Sequence, residues 1–137
     1  MSRILVVDDS RLVLQAVSDS LAPLGHVLVL TENPLEVPYL IKHQHPDLVL
    51  IDLNMPTMRG DVVARIVRKA FGRDVVVLLH TETPGDALKF VEPTCADGVV
   101  AKSYDDSSLV KAVSEHLLRH TLTPIPFSPP RGKPALG

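Results

Sequence analysis

The sequence predicts an α/β doubly wound sandwich, a five-stranded parallel sheet with helices on both faces. Three observations carry that prediction. Short aliphatic runs recur at fairly even spacing along the chain. Segments whose apolar residues fall at helical spacing lie between them. The runs are continuous and rich in valine, leucine and isoleucine, the composition of strands buried on both faces in a parallel sheet.

The first strand is "ILVV" at 4–7, and "VLVL" at 27–30, "LVLI" at 48–51, "VVVLL" at 75–79 and "VVA" at 99–101 supply the others. Leu12, Ala16, Val17 and Leu21 give the first helix one apolar stripe to lay on the sheet. Val62, Val63, Ile66 and Val67 do the same for the third helix, and Leu109, Val110, Val113, Leu117 and Leu118 for the last. Ser10 can cap the first helix, Thr83 stands before Pro84 at a first helical position, and Asp106 or Ser107 can open the last. Pro38 falls near the start of the second helix, while Pro84 and Pro93 bracket the fourth, so short or displaced helices are expected there.

Strand alternating with helix implies parallel strands, because each parallel return needs a crossover. Right-handed crossovers leave few topologies. The usual five-stranded one has strand order 2-1-3-4-5 and binds ligands where strands 1 and 3 diverge at their carboxyl ends. That order comes from known sheets of this kind rather than from these residues.

At 137 residues the chain has the size of one domain and can bury a core without disulfides or metal staples. Its net charge of -2 gives no electrostatic reason for direct nucleic-acid or anionic-membrane binding. Cys95 is the sole cysteine, which rules out an internal disulfide and reads as a small buried hydrophobe in a reducing compartment. No apolar segment approaches the ~20 residues that span a bilayer, and acid follows the amino terminus too soon for a secretory signal. The expected location is the cytoplasm, without membrane insertion. From Thr121 the chain reads "TLTPIPFSPPRGKPALG". Residues 1–120 are therefore expected to form the domain and residues 121–137 a proline-rich, disordered tail.

Asp8 and Asp9 close the first strand, and two anions ~4 Å apart repel by about 4 kcal/mol at an effective dielectric near 20. Asp52 closes the third strand in the same way. If strands 1 and 3 are neighbours, three carboxylates from distant parts of the sequence meet at one edge, and a hard divalent cation resolves their repulsion. Magnesium takes ~6 oxygen ligands and keeps several waters, so two carboxylates and a backbone carbonyl make a typical protein share. Strand 4 ends "LLHTE", presenting Thr81 or His80, and strand 5 ends "VVAKS", presenting Lys102. A hydroxyl and an ammonium beside a metal and a carboxylate suit a phosphoryl group, whose transfer needs positioning and charge neutralisation more than acid-base work. No G-x-x-x-x-G-K-[ST] phosphate loop occurs.

Taken together, "ILVVDDS", "DLVLIDLNMPTMRG", "LLHTE" and "ADGVVAKS" resemble the receiver domain of bacterial response regulators over about Ser2 to His120. The resemblance implies a flavodoxin-like fold and a phosphoacceptor at Asp52, charged by a histidine kinase or phosphotransfer protein as an acyl phosphate. It implies magnesium bound by Asp9 and Asp52, by Asp8 directly or through water, and by the main-chain carbonyl of Asn54. Thr81 would bond the phosphoryl oxygen and Lys102 would pair with it. Such a protein is a switch rather than an enzyme, with only magnesium-dependent self-phosphorylation and autodephosphorylation, and it signals by binding a downstream protein partner in one state better than the other. No DNA-binding helix-turn-helix follows, so the expectation is a single-domain regulator without direct transcriptional output.

Departures from the family pattern are also legible. Ser103 follows Lys102 where receivers usually carry a proline in a cis peptide, and a cis bond before a non-proline residue costs about 3 kcal/mol, so a trans peptide is expected. The family couples its strand-4 hydroxyl to an aromatic ring on strand 5; Val99 holds that position and has no ring to rotate, and the nearby Tyr104 lies on the loop side. These two departures motivate an alternative, a receiver-like interaction module that acts independently of phosphorylation. His116 and His120 are spaced i, i+4 without an evident third metal ligand and read as part of an ordinary amphipath.

Overall fold

In the computed structural model, which describes residues 1–91, 95–103 and 105–122, each of the five aliphatic runs becomes a strand of one parallel sheet. The strands are β1 (Arg3–Val7), β2 (Val27–Thr31), β3 (Leu48–Asp52), β4 (Val76–Thr81) and β5 (Gly98–Ala101). The helices are α1 (Arg11–Leu21), α2 (Val37–Gln44), α3 (Gly60–Phe71), α4 (Pro84–Ala87) and α5 (Ser107–Leu122). Strand order is β2-β1-β3-β4-β5. The predicted tail, apart from its first two residues, which extend α5, lies outside the described residues, as do Pro93 and Tyr104.

Alternation along each strand divides the core into two layers, since successive side chains point to opposite faces. Ile4, Val6, Leu48, Leu50 and Leu78 meet Leu14, Val17 and Leu21 of α1 and Leu109, Val113 and Leu117 of α5. Leu5, Val7, Val49, Ile51, Val77 and Leu79 face the other way, onto α2, α3 and α4. Fully burying each of these aliphatic side chains contributes ~1.5–3 kcal/mol, and both faces of β3 are buried along its whole length.

Local chemistry sets the helix ends. Ser10 caps α1, its hydroxyl accepting from the Val13 N–H at 3.3 Å. Thr83 stands at the N-cap of α4 without a side-chain capping bond, and Pro84 takes the first helical position. At α5 the Asp105 carboxylate, rather than that of Asp106, accepts the Ser107 N–H at 3.0 Å. α4 has only four residues before a 3-10 turn over Leu88–Phe90, the shortening expected of that segment. α2 is likewise entered through a 3-10 turn, Pro34–Glu36, with Pro38 in its first turn.

Candidate functional site

β1 and β3 are adjacent and in parallel register, Val6 beside Leu50 and Val7 beside Ile51. Two residues beyond Val6 and Leu50 come Asp8 and Asp52, carried to one edge and onto the α1/α5 face by the same alternation that buries the aliphatic residues below them. Both are almost fully buried, whereas Asp9 is exposed. One carboxylate oxygen from each of Asp8, Asp9 and Asp52 lies within 4.8 Å of the other two.

Lys102 closes this cluster from β5. Its Nζ donates to Asp52 Oδ1 at 2.9 Å and forms an ion pair with Asp8 Oδ2 at 3.1 Å. The second contact lies off hydrogen-bonding geometry, which leaves the buried Asp8 Oδ2 without a hydrogen bond. The lysine main chain is held in turn, its N–H donating to the Thr81 carbonyl at 2.7 Å. Asp8 Oδ1 accepts the Ser10 N–H at 2.9 Å. Asp52 Oδ1 accepts the Asn54 N–H at 3.3 Å as well as the ammonium.

Electrostatics follow from burial and company. Burial pushes the Asp52 carboxyl above its ordinary range; the Lys102 hydrogen bond opposes this and the Asp8 charge adds to it. Burial alone would lower Lys102, but the Asp52 hydrogen bond and the pairing with the Asp8 and Asp52 charges outweigh it and the ammonium is raised. Three carboxylates against one ammonium, with a buried oxygen lacking a hydrogen bond, make a donor set that fits a hard divalent cation such as magnesium.

The other expected residues lie around this centre with different engagements. Asp52 is in register with His80, so those two side chains share a face, and His80 packs on the α1/α5 side. Thr81 is buried at the end of β4, where its hydroxyl accepts the Thr83 N–H at 3.1 Å and lies 3.4 Å from the Thr83 hydroxyl. That hydroxyl is thus bonded within its own turn. Asn54 is exposed, and its side-chain oxygen accepts weakly from Arg59 at 3.5 Å. Val99 is partly buried and packs against the α2/α3/α4 layer. Among the described residues there is no cis peptide, in keeping with Ser103 after Lys102.

Gly60 is a positioning residue that the sequence patterns did not single out. A Cβ there would lie 2.2 Å from the Asp52 carbonyl oxygen. The Gly60 N–H donates to the Leu53 carbonyl at 2.8 Å, so α3 begins pressed against the backbone of the acid-bearing strand end. Its signal was the glycine closing "NMPTMRG", legible only once the loop is known to fold back on β3.

A family model for the response regulator receiver domain matches residues 4–114. The chain belongs to that family. Receiver domains are signalling domains that work with histidine kinases or phosphotransfer proteins, and this receiver carries the acidic cluster at the carboxyl edge of its sheet. It is similar to the chemotaxis response regulator CheY4 of Vibrio cholerae, with 25% identity and a TM-score of 0.75, covering 84% of this chain and 98% of that one. It is also similar to the response regulator protein TrrA from Thermotoga maritima, solved in complex with Mg2+ and BeF, with 29% identity, a TM-score of 0.75 and the same coverages of 84% and 98%. The CheY-like receiver domain protein from Methanospirillum hungatei shares the fold at 21% identity, with a TM-score of 0.79 over 88% of this chain and 97% of that one. Among the described residues no helix is long and apolar enough to cross a membrane.

Proposed function

We propose that this receiver is a phosphorylation-controlled switch whose phosphoacceptor is Asp52 and whose donor is a histidine kinase or phosphotransfer protein. The observation that carries the proposal is the Lys102 ammonium bridging Asp52 and Asp8 where β1 and β3 emerge side by side. Asp8, Asp9, Asp52 and the Asn54 carbonyl would hold magnesium, which when bound supplies charge neutralisation for the incoming phosphoryl group.

The chain's own residues then divide the work. Both hydrogen bonds described for Asp52 fall on Oδ1, which orients the carboxylate and leaves Oδ2 to act as nucleophile. An Oδ2 electron pair forms the new bond to phosphorus, the bond from phosphorus to the donor breaks, and its electron pair leaves with the donor, giving an acyl phosphate. Lys102, already beside Oδ1, pairs with the phosphoryl oxygens as a point charge. Thr81 would exchange its hydroxyl's contacts with Thr83 for a phosphoryl oxygen, turning the β4–α4 turn and altering affinity for a downstream protein. The rival reading, a module acting without phosphorylation, is favoured by the present engagement of Thr81 with Thr83 and by the ringless Val99.

Intact mass after incubation with magnesium and acetyl phosphate tests the proposal. One acid-labile phosphoryl group that requires magnesium and is absent from Asp52→Asn supports it. A folded, magnesium-binding protein that stays unmodified transfers support to the rival.

A further inference from the structure

The geometry points to a small-molecule site between α1 and the start of α5, taking a compact amphipathic amine with a hydrogen-bonding group on its apolar body. A cavity of about 360 Å³ opens there, its walls formed by Val13, Ala16 and Val17 of α1 and Leu109 of α5. That volume lies within the ~300–1,000 Å³ of ordinary ligand sites.

His80 forms part of the lining and is only 6% exposed. Among the described residues no side chain or main chain bonds either of its ring nitrogens, and neither nitrogen is sealed from solvent. Burial, with the Lys102 charge acting in the same direction, lowers its pKa to about 4, so at neutral pH the ring offers one donor and one acceptor. A complementary group on a ligand would therefore pair with the ring where it lines the cleft, beside the apolar wall.

Charge selects the other end of the ligand. Glu82, Asp105 and Asp106 are exposed and line the same cavity. Lys102 also lines it, but its ammonium is engaged by Asp52 and Asp8. The mouth is thus anionic, which favours a cationic head and disfavours an anionic one. Because Lys102 borders both this cavity and the acidic cluster, occupancy would be linked to the state of Asp52, a coupling that rests on the phosphoacceptor reading.

Tryptamine is a suitable probe, with an apolar ring system, an N–H donor and an ammonium; indole-3-acetate reverses the charge. In an NMR titration of the full ¹⁵N-labelled chain, tryptamine should give saturable shifts centred on Val13, Ala16, Ala101 and Leu109. Indole-3-acetate should bind about tenfold more weakly or not at all, and Glu82→Gln should reduce the tryptamine affinity severalfold. Ala16→Trp, at an exposed position on α1, should fill the cleft and abolish the shifts while leaving the melting transition in place. Absence of local shifts, equal shifts with both indoles, or indifference to Ala16→Trp would overturn the site. No phosphodonor is present, so failure here is distinguishable from failure of Asp52 to accept phosphate.

Discussion

Lys102 Nζ lies 2.9 Å from Asp52 Oδ1, although the lysine follows β5, the aspartate ends β3, and β4 lies between those strands. Two inter-strand spacings amount to ~10 Å, so the lysine stem must cross above the end of β4 to reach the acid. The hydrogen bond from the Lys102 N–H to the Thr81 carbonyl anchors that crossing. The same ammonium reaches Asp8, and one side chain thereby ties together the ends of three strands.

Removing the ammonium leaves two buried carboxylates facing each other. Lys102→Ala should cost about 3 kcal/mol of stability without divalent ions, the scale for breaking a buried ion pair from one side. Magnesium should restore most of this loss and bind at least as tightly as in the parent, because the lysine no longer competes for the same oxygens. The spectral change on phosphorylation should weaken far more. Urea melts with and without magnesium, calorimetric titration and amide shifts after acetyl phosphate check the division; equal loss of metal binding and phosphorylation response would contradict it.

Asp52 gives a pH-dependent prediction with a definite sign. Its folded pKa is raised, chiefly by burial, so its favourable contribution is complete below the unfolded value and is lost as pH rises through the folded one. At neutral pH the ionised carboxylate is therefore a burden on the metal-free protein. Asp52→Asn should melt higher than the parent at pH 7 in chelator, and the gap should close on acidification or on adding magnesium to the parent. A lower melting point for the variant under those conditions would show that the Lys102 bond dominates.

His80 titrates with the opposite consequence. Its pKa is lowered to about 4, so the unfolded chain binds more protons between there and the ordinary value near 6.5. Stability attributable to His80 is complete above that window and declines by about 3 kcal/mol as pH falls through it. Chemical denaturation between pH 4 and 7 should show a steeper decline in the parent than in His80→Leu. Parallel profiles would mean the imidazole remains hydrated.

Gly60→Ala should damage the site through the backbone. The new methyl would lie 2.2 Å from the Asp52 carbonyl oxygen, a contact neither a rotamer change nor a flexible side chain can relieve. A loss of about 3 kcal/mol is expected for such overpacking, together with slower phosphorylation as the β3–α3 loop shifts. Denaturation midpoints and the rate of mass gain with acetyl phosphate measure the two effects.

The strands and their carboxyl-end acids were legible because both are local. An aliphatic run such as "LVLI" has few ways to leave water except as a strand covered on two faces, and Asp52 follows it directly. The short α4 was legible for the same reason, since Pro84 and its surroundings cannot sustain a long helix. Strand ends were less so: β4 continues through His80 and Thr81 because the hydrogen-bond ladder does not stop where the aliphatic residues do.

What the sequence determined by itself was the element order, the class of sheet, and the set Asp8, Asp9, Asp52, Thr81 and Lys102 at the strand ends. Only the tertiary structure decided who meets whom. Lys102 chose Asp52 and Asp8 together, Thr81 turned to Thr83, Gly60 took its place against the Asp52 backbone, and His80 was left in register with Asp52 beside a cavity. Hydrophobic periodicity specifies faces and ends along one segment. Contacts between ends of different strands depend on register, crossover and twist, which arise only when all the segments pack together.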